Sequence, residues 1–501
     1  MRYRRNEKMA ETIIQRYKFN SPNRNVDPVA LTDSLYYMKN AFRDETLSWN
    51  RRPALGAELV DFETDSPIDG TYWWRKKDIV VIVSNGRIFS IDSSYVITEL
   101  SAGVSLLEQR GQCTFIEVKE TSSNKIWLFI ANGGRIVYTD GVAGGATKMV
   151  GADDPVSCTH VTQVDGVLIA NDTSSAIKKQ TWITAIVNAP LTFTGGEDYT
   201  APRSVDDIVA IIEANHIVYI IGTDSVEPWS YTGEETAFYQ IAGALIDIGA
   251  FSADSVTKYK RDIYLLSNNR EIVLLRGYTP ITISFPYNRF IQQLETINDV
   301  KIEVVSSLEG YDFLLCHFPS EGITLAHNIT LYNRSNGEIN DWYEWTYWSG
   351  NAHTQFRGIN SVYAAGWGDY LIGDRLDSKL YGFSKTNLTD AGTTVKIEIV
   401  TGHIDHGIWE EKSSDCLKIK GKRGETAVEK TIYIYWRDNG DSEWSNAVEN
   451  TIDSGSLGDR EFIISLFPMG TYITRQYKII MGDEVDFIIC GFEEKLEVIS
   501  A

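Results

Sequence analysis

The chain's one histidine cluster, His403-Ile404-Asp405-His406, joins imidazole and carboxylate groups of the kind that ligate zinc or iron. On an extended strand His403 and Asp405 would share one face and His406 the other. That spacing gives two convergent ligands where such a metal needs three or four, and the other five histidines are scattered. The acidic turns Asp65-Ser66-Pro67-Ile68-Asp69-Gly70 and Asp153-Asp154 place carboxylates where calcium could bind. Neither has the alternating carboxylates and distal glutamate of a calcium loop, so both read as solvated turns. Gly141-Val142-Ala143-Gly144-Gly145 is too short to cradle a phosphate and leads into no helix. Nucleophile-elbow, P-loop and dinucleotide signatures do not occur. Paired carboxylates for glycoside hydrolysis are positioned by a fold rather than by spacing, so the sequence neither marks nor excludes them. The reading that follows is of a chain with no catalytic, cofactor-binding or metal-binding residues, and not an enzyme.

What the sequence does mark is a loose repeat. An apolar run, a tight polar turn and a second run return along the chain, as in Ile79–Val83 with Asn85-Gly86 and Ile126–Ile130 with Asn132-Gly133. Further copies surround Asp165-Gly166, Gly222, Asn268-Asn269, Gly322 and Gly373, with gaps of 47, 33, 57, 46, 54 and 51 residues between turns. A weak repeat of this length, each unit a few short strands, is the signature of a β-propeller. Asn-Gly and Asp-Gly turns suit type I′ hairpins, which need positive φ at both central residues. Aromatics near the second strand (Phe89, Tyr138, Trp229, Tyr231, Tyr381) are expected to pack between neighbouring sheets. The dense run Trp342–Trp348 reads as a strand covered on both faces inside the same stack. Residues 172–204 and 227–252 fit the repeat poorly, and Ile241–Ala253 is expected to be a loop lying on a neighbouring subunit.

The expected fold class is therefore all-β: a β-propeller of six to eight blades over residues 56–392, with flanking parts on either side. Residues 1–55 read as an N-terminal docking arm, partly helical over Met9–Tyr17 and Pro28–Phe42, with Asp27 as N-cap and Pro28 at the first helical position. Residues 393–501 carry short alternating strands and read as a β-sandwich-like domain.

Composition bounds the partners. The 501 residues carry a net charge of −21, distributed unevenly: residues 1–52 hold eleven Lys/Arg and six Asp/Glu, the rest 36 against 62. An acidic body does not grip nucleic acid, because affinity for phosphate comes from cations displacing counterions. Double-stranded DNA could pass it without sequence-specific binding. Five widely spaced cysteines without a CxxC pair fit reduced thiols in a protein made in a cytosol. No apolar stretch is long enough for a membrane-spanning helix, and Met1–Arg5 leads into Asn6-Glu7-Lys8 without the apolar core of a signal peptide.

Several short motifs resemble known families. Arg437-Asp438-Asn439-Gly440-Asp441-Ser442-Glu443-Trp444 resembles the Asp-box hairpin of sialidase-like propellers, one residue too long before the tryptophan, and that motif is itself structural. A wider likeness is to the tail nozzle, or packaged-DNA-stabilisation, proteins of short-tailed phages. Asn50-Arg51-Arg52-Pro53-Ala54-Leu55-Gly56 is similar to their basic-Pro-Gly entry segment, with alanine where glycine is commoner. Ser84-Asn85-Gly86-Arg87-Ile88-Phe89 and Asn132-Gly133-Gly134-Arg135-Ile136-Val137-Tyr138 resemble their hairpins. Gly222, Ser225, Glu227 and Trp229 stand in the family's order, and Asp438-Asn439-Gly440, Trp444-Ser445-Asn446, Gly470 and Arg475 are similar to its C-terminal pattern. The Gly440–Trp444 spacing departs from that pattern, and Gln476–Ile480 replaces its usual Trp-Arg-Arg-Leu-Gly run.

The resemblance implies a structural virion protein assembled in the host bacterial cytoplasm. It implies a propeller ring, self-associated as a hexamer beneath the head-to-tail adaptor or portal-proximal ring, that extends and closes the DNA channel. Such a nozzle would retain the packaged genome, let it pass during ejection, and carry a fibre, tailspike or needle. Two other readings fit a propeller: a glycosidase or lyase acting on host surface polysaccharide, and a protein-interaction scaffold, whose Gly-His…Trp-Asp signature is missing.

Overall fold

The computed structural model describes residues 12–31, 34–108, 112–194, 196–200, 206–233, 237–308, 310–424, 430–452 and 460–499. Short strands dominate, and the only α-helices among the described residues are Asn288–Gln292 and Ile329–Arg334. The chain forms two compact units that are interleaved in sequence. One comprises Leu55–Thr324 and Phe356–Ser384; the other comprises Met1–Ala54, Leu325–Gln355 and Lys385–Ala501.

The Leu55–Ser384 unit is built from the repeat. Four antiparallel strands in chain order make each of five sheets, beginning at Ile68–Trp74, Thr114–Lys119, Val161–Val164, Ile208–Ala214 and Val256–Tyr259. Then come the hairpin Lys301–Leu308/Tyr311–Phe318 and a last sheet of Gly358–Ala364, Asp369–Asp374 and Lys379–Ser384. The outer strand of that last sheet is Ala54–Asp61, from the opposite end of the unit. From the second sheet onward, each first strand lies alongside the next, and the last, Gly358–Ala364, returns to Ile68–Trp74. Tyr72 stacked on Phe115, ring centroids 5.4 Å apart, joins the first sheet to the second.

The aliphatic runs follow from this arrangement. A central strand has a neighbouring sheet on each face, so both sets of alternate residues must be apolar. Val80 and Ile82 pack with Val60, Leu371 and Leu380 of the last sheet, whereas Val81 and Val83 pack with Leu128 and Ile130 of the second. Phe129 and Ala131 turn instead to Leu168 and Ala170 of the third. Val167 and Ile169 meet Val218 and Ile220 of the fourth, whose Tyr219 and Ile221 face Leu265 and Val273 of the fifth. Each fully buried side chain of this kind contributes about 1.5–3 kcal/mol. The aromatics expected between sheets are there: Phe89, Trp229 and Tyr381 are buried, and Tyr138 is half-buried against Trp127.

Turn chemistry is mixed. Asn85-Gly86 and Asp165-Gly166 have positive φ at both residues (52°, 70° and 47°, 84°), as a type I′ hairpin requires. Asn132-Gly133 does not; Asn132 spends its amide bridging the backbone of Glu108, accepting from its N–H and donating to its carbonyl. The segment Ile241–Ala253 packs in part on its own unit. Ile246 pairs with Val226, and both Ile246 and Ala250 join the buried cluster of the fourth and fifth sheets.

The other unit holds two antiparallel groups of strands. One centres on Phe487–Val498, paired with Thr12–Tyr17, Trp49–Arg51 and Lys412–Arg423, the last extended by Arg460–Leu466. The other runs Leu35–Lys39, Ile397–Thr401, Arg475–Met481, Lys430–Asp438, Val448–Ile452. The helices expected near the N-terminus are corrected here. Thr12–Tyr17 is a strand with alternating exposure, and Met9–Glu11 lie outside the described residues. Asp27 does cap the Val29 N–H with Pro28 at the first position, but the turn ends at Ala30 as a 3₁₀ helix. Leu35–Lys39 and Ala41–Arg43 are strands, because pairing with Ile397–Thr401 and Trp49–Arg51 overrides their helical spacing. Trp342–Trp348 is grouped with this unit, where Trp342–Glu344 pairs with Leu325–His327, and it breaks at Trp345 into two three-residue strands.

Candidate functional site

The histidine cluster proves to be a packing device. His406 Nε2 lies 3.1 Å from both Tyr472 Oη and Glu494 Oε2. Glu494 is fully buried and also accepts from Ser414 Oγ (2.6 Å), Tyr472 (2.9 Å), Tyr477 (3.0 Å) and Tyr17 (3.3 Å). Burial alone would raise its pKa; the bonds from His406, Ser414 and Tyr472 outweigh that and lower it. His403 is buried apart from this cluster, and Asp405 accepts from Gly407 N–H and Trp409 Nε1. Among the described residues no group of three His, Cys, Asp or Glu side chains could hold a metal ion. Of the acidic turns, Asp65 stands in the left-handed region at φ 51°, Asp69 is buried, Asp153 is exposed, and Asp154 accepts from Gly151 N–H at 2.5 Å.

The remaining sequence motifs are likewise held by local chemistry. Asn439-Gly440 forms a turn with φ 51° and 80°, and Asn439 Oδ1 accepts from Ile473 and Thr474 N–H. Asp438 pairs in bidentate fashion with buried Arg475, at 2.6 and 2.8 Å. Trp444 stacks under Arg437 and Lys478, 4.7 and 4.6 Å from its ring. The Gly222–Trp229 motif is organised by a residue its spacing does not flag: Asp206 accepts from Asp224 N–H, Ser225 N–H and Ser225 Oγ at 2.8, 3.0 and 3.3 Å. A Cβ on Gly222 would stand 2.2 Å from that carboxylate, which explains the glycine. Glu227 is buried and accepts from Gln240, while Trp229 packs edge-on to Trp182.

The Arg51 and Arg52 side chains are fully buried, held within their own unit. Arg51 donates to the carbonyls of Lys385 and Asn387, and Arg52 to Asp390, Asn40, Thr346 and Pro53. Arg43 is held by Asp341 at 2.9 and 2.5 Å. Burial works against the Arg43 charge, but Asp341 more than offsets it and raises its pKa.

The inner strands of the repeat unit bring polar groups together across sheet junctions. Tyr72 donates to Glu117 (2.9 Å), Val161 N–H to Thr114 Oγ1 (3.2 Å), Glu213 N–H to Thr162 Oγ1 (3.2 Å), and Lys258 to Glu213 (2.8 Å). Asn360, in the left-handed region at φ 53°, ties three sheets. Its side chain accepts from Lys301 and donates to Ile68 O, and its carbonyl accepts from Thr71. Glu303 bonds His317 at 2.9 Å and accepts from Ser361 N–H at 3.1 Å. Two cavities lie along these strands. One of about 500 Å³ is lined by Thr71, Lys258, Ser306 and Ser361, and one of about 260 Å³ by Gln112, His160, Thr162 and Glu213. Burial holds His160 neutral, its pKa pushed down to about 4. What this arrangement does chemically is cross-link neighbouring strands.

Three solved structures are weakly similar to the chain. The extracellular domain of a putative one component system, BT4673, from B. thetaiotaomicron is 8% identical with a TM-score of 0.43, over 88% of this chain. The chain spans 62% of that domain's length. An auxiliary nutrient binding protein from Bacteroides thetaiotaomicron is 10% identical (TM-score 0.32; 75% of this chain, 77% of that one). An exo-beta-1,3-galactanase from Phanerochaete chrysosporium is 8% identical (TM-score 0.29; 79% of this chain, 99% of that one). At these scores none bears on function. A search of curated proteins finds no match. A family described as "Bacteriophage P22 Gp10, beta-propeller" matches residues 59–388, the span over which the repeated sheets, their shared apolar clusters and the cross-linked inner strands have been described. Since that match covers more than half of its length, the chain belongs to this phage-stabilisation family of β-propeller proteins.

Proposed function

We propose that the chain is the tail nozzle subunit of a short-tailed phage, a non-catalytic virion protein. In this reading six copies form a ring below the head-to-tail adaptor, extend and close the DNA channel, and retain the genome until ejection. The seven sets of strands serve as seven propeller blades, and the interleaved unit serves as a sandwich-like platform for a fibre, tailspike or needle. The observation that carries the reading is the family match over the propeller itself. Charge supports it: the Leu55–Ser384 unit holds 22 Lys/Arg against 38 Asp/Glu, whereas the interleaved unit holds 25 against 30. An acidic wall lets a polyanion slide, since it offers few cations to displace its counterions. Mass photometry and negative-stain imaging of the purified chain with its adaptor ring are expected to show closed rings. Monomers alone under assembly conditions would overturn the proposal.

A further inference from the structure

On the half-buried face of Lys430–Asp438 and Arg475–Met481, a groove of about 530 Å³ opens, a size within the roughly 300–1,000 Å³ typical of small-molecule sites. Its lining is aromatic and hydroxylated rather than plainly apolar. Strand register places Tyr433 opposite Ile480 and Tyr435 opposite Lys478. Ile480 is in turn opposite Glu398, so these side chains share one face. Trp348 forms the far wall, with the Lys396 ammonium 3.7 Å from its ring centroid. Thr393, Thr394 and Asp483 supply hydrogen-bonding groups at the rim, and Asp483 is anchored by the Thr431 N–H at 2.6 Å. Gly350 and Gly482 leave the lining open; a Cβ on Gly482 would meet nothing nearer than Lys396 Cγ at 3.9 Å.

We infer that this groove binds an uncharged saccharide of two or three rings. A pyranose has one face of C–H groups, which packs flat on an aromatic ring, and an edge of hydroxyls that both donate and accept. Tyr433 offers a flat face, flanked by Trp348 with Lys396 over it and by Tyr435 with Lys478 4.6 Å from its ring centroid. Lys396 and the threonine hydroxyls donate, and the Asp483 carboxylate accepts. The lining itself carries one charge of each sign, Lys396 and Asp483. A charged ligand would meet a like charge as well as an opposite one there, so a neutral polyhydroxylated ligand suits this lining.

The test uses the full chain, titrated with maltotriose, chitotriose and trigalacturonic acid and followed by tryptophan fluorescence and calorimetry. Saturable binding of a neutral trisaccharide with a dissociation constant of about 1 mM or tighter is expected. Tyr433→Ala and Tyr435→Ala should each weaken it tenfold or more without moving the melting temperature. Tyr239→Ala, at a tyrosine 52% exposed on the other unit, should leave binding unchanged. Should a tyrosine variant fail to fold by circular dichroism, Lys396→Met, which keeps the aliphatic stem over Trp348 and removes the donor, carries the test. Binding of none of the three sugars, of the uronate alone, or binding indifferent to these substitutions overturns the inference.

Discussion

Replacing Asp390 with asparagine should be among the most damaging single-atom-class changes available to the interleaved unit. Arg52 is 0% exposed, and its guanidinium reaches Asp390 through both terminal nitrogens, one of them at 3.1 Å. Among its other partners, Asn40 Oδ1 and the carbonyls of Pro53 and Thr346 are neutral acceptors. Asparagine would still accept one bond but would remove this carboxylate charge from beside the buried cation, a loss worth about 3–5 kcal/mol when a buried pair is broken from one side. For a unit of about 200 residues, at roughly 2–4 °C per kcal/mol, the melting transition falls by roughly 6–20 °C. The double variant Arg52→Met/Asp390→Leu removes both charges and should recover most of that loss. Urea and thermal unfolding of the three variants measure this. A loss below about 1 kcal/mol for Asp390→Asn, or a double variant as unstable as the single one, would refute the argument that an unpaired buried charge dominates.

Two further outcomes follow from buried groups and backbone. His160 and His327 have pKa values pushed down to about 4 by burial, whereas an unfolded histidine titrates near 6.5. The unfolded chain then binds more protons between those values, so stability is full above about pH 6.5 and is lost as pH falls toward 4, by about 2 kcal/mol per histidine at pH 5. His160→Asn should flatten its share of the melting-temperature decline between pH 7 and 5; an unchanged slope in the variant would count against it. Gly86→Ala should cost about 2 kcal/mol or more in urea unfolding, because φ is +70° and the new Cβ would stand 2.4 Å from Leu107 O. Gly103→Ala, at φ +80° with nothing within 4 Å, should cost less, and equal losses would show that contact plays no part.

The repeat was legible because each central strand must be apolar on both faces. Val80-Val81-Ile82-Val83 could not be read as a strand with one wet side, and its alternate residues do join different clusters. What sequence did not reveal is set by distant partners. Leu35–Lys39 looked helical after Asp27-Pro28 because spacing carries no record of Ile397–Thr401, more than 350 residues away. The Trp342–Trp348 run is covered on both faces, as its composition implied: Trp342, Tyr343 and Trp345 are all buried. Asp206, which organises a turn within one sheet, and Asn360 and Glu494, which tie sheets together, lie in no motif, since their spacing is that of ordinary loop and strand positions. Tyr433 and Tyr435 lie in the stretch of short alternating strands after residue 393, but nothing in their spacing brings Trp348 opposite them.

The outer strand Ala54–Asp61 of the last sheet has a consequence for how the protein is made. It leaves the ribosome early, yet its partner Lys379–Ser384 is about 320 residues further on. At bacterial translation speeds of up to about 20 residues per second, that is a wait of at least roughly 16 seconds. Throughout it the strand's amides lack their native partner, and Val60 can meet Val80 and Ile82 but not Leu371 or Leu380. The last sheet of this unit is therefore completed by the strand of the unit that is synthesised first. Nascent chains stalled before residue 379 should present a sticky edge to chaperones, and release of full-length chain should extinguish it.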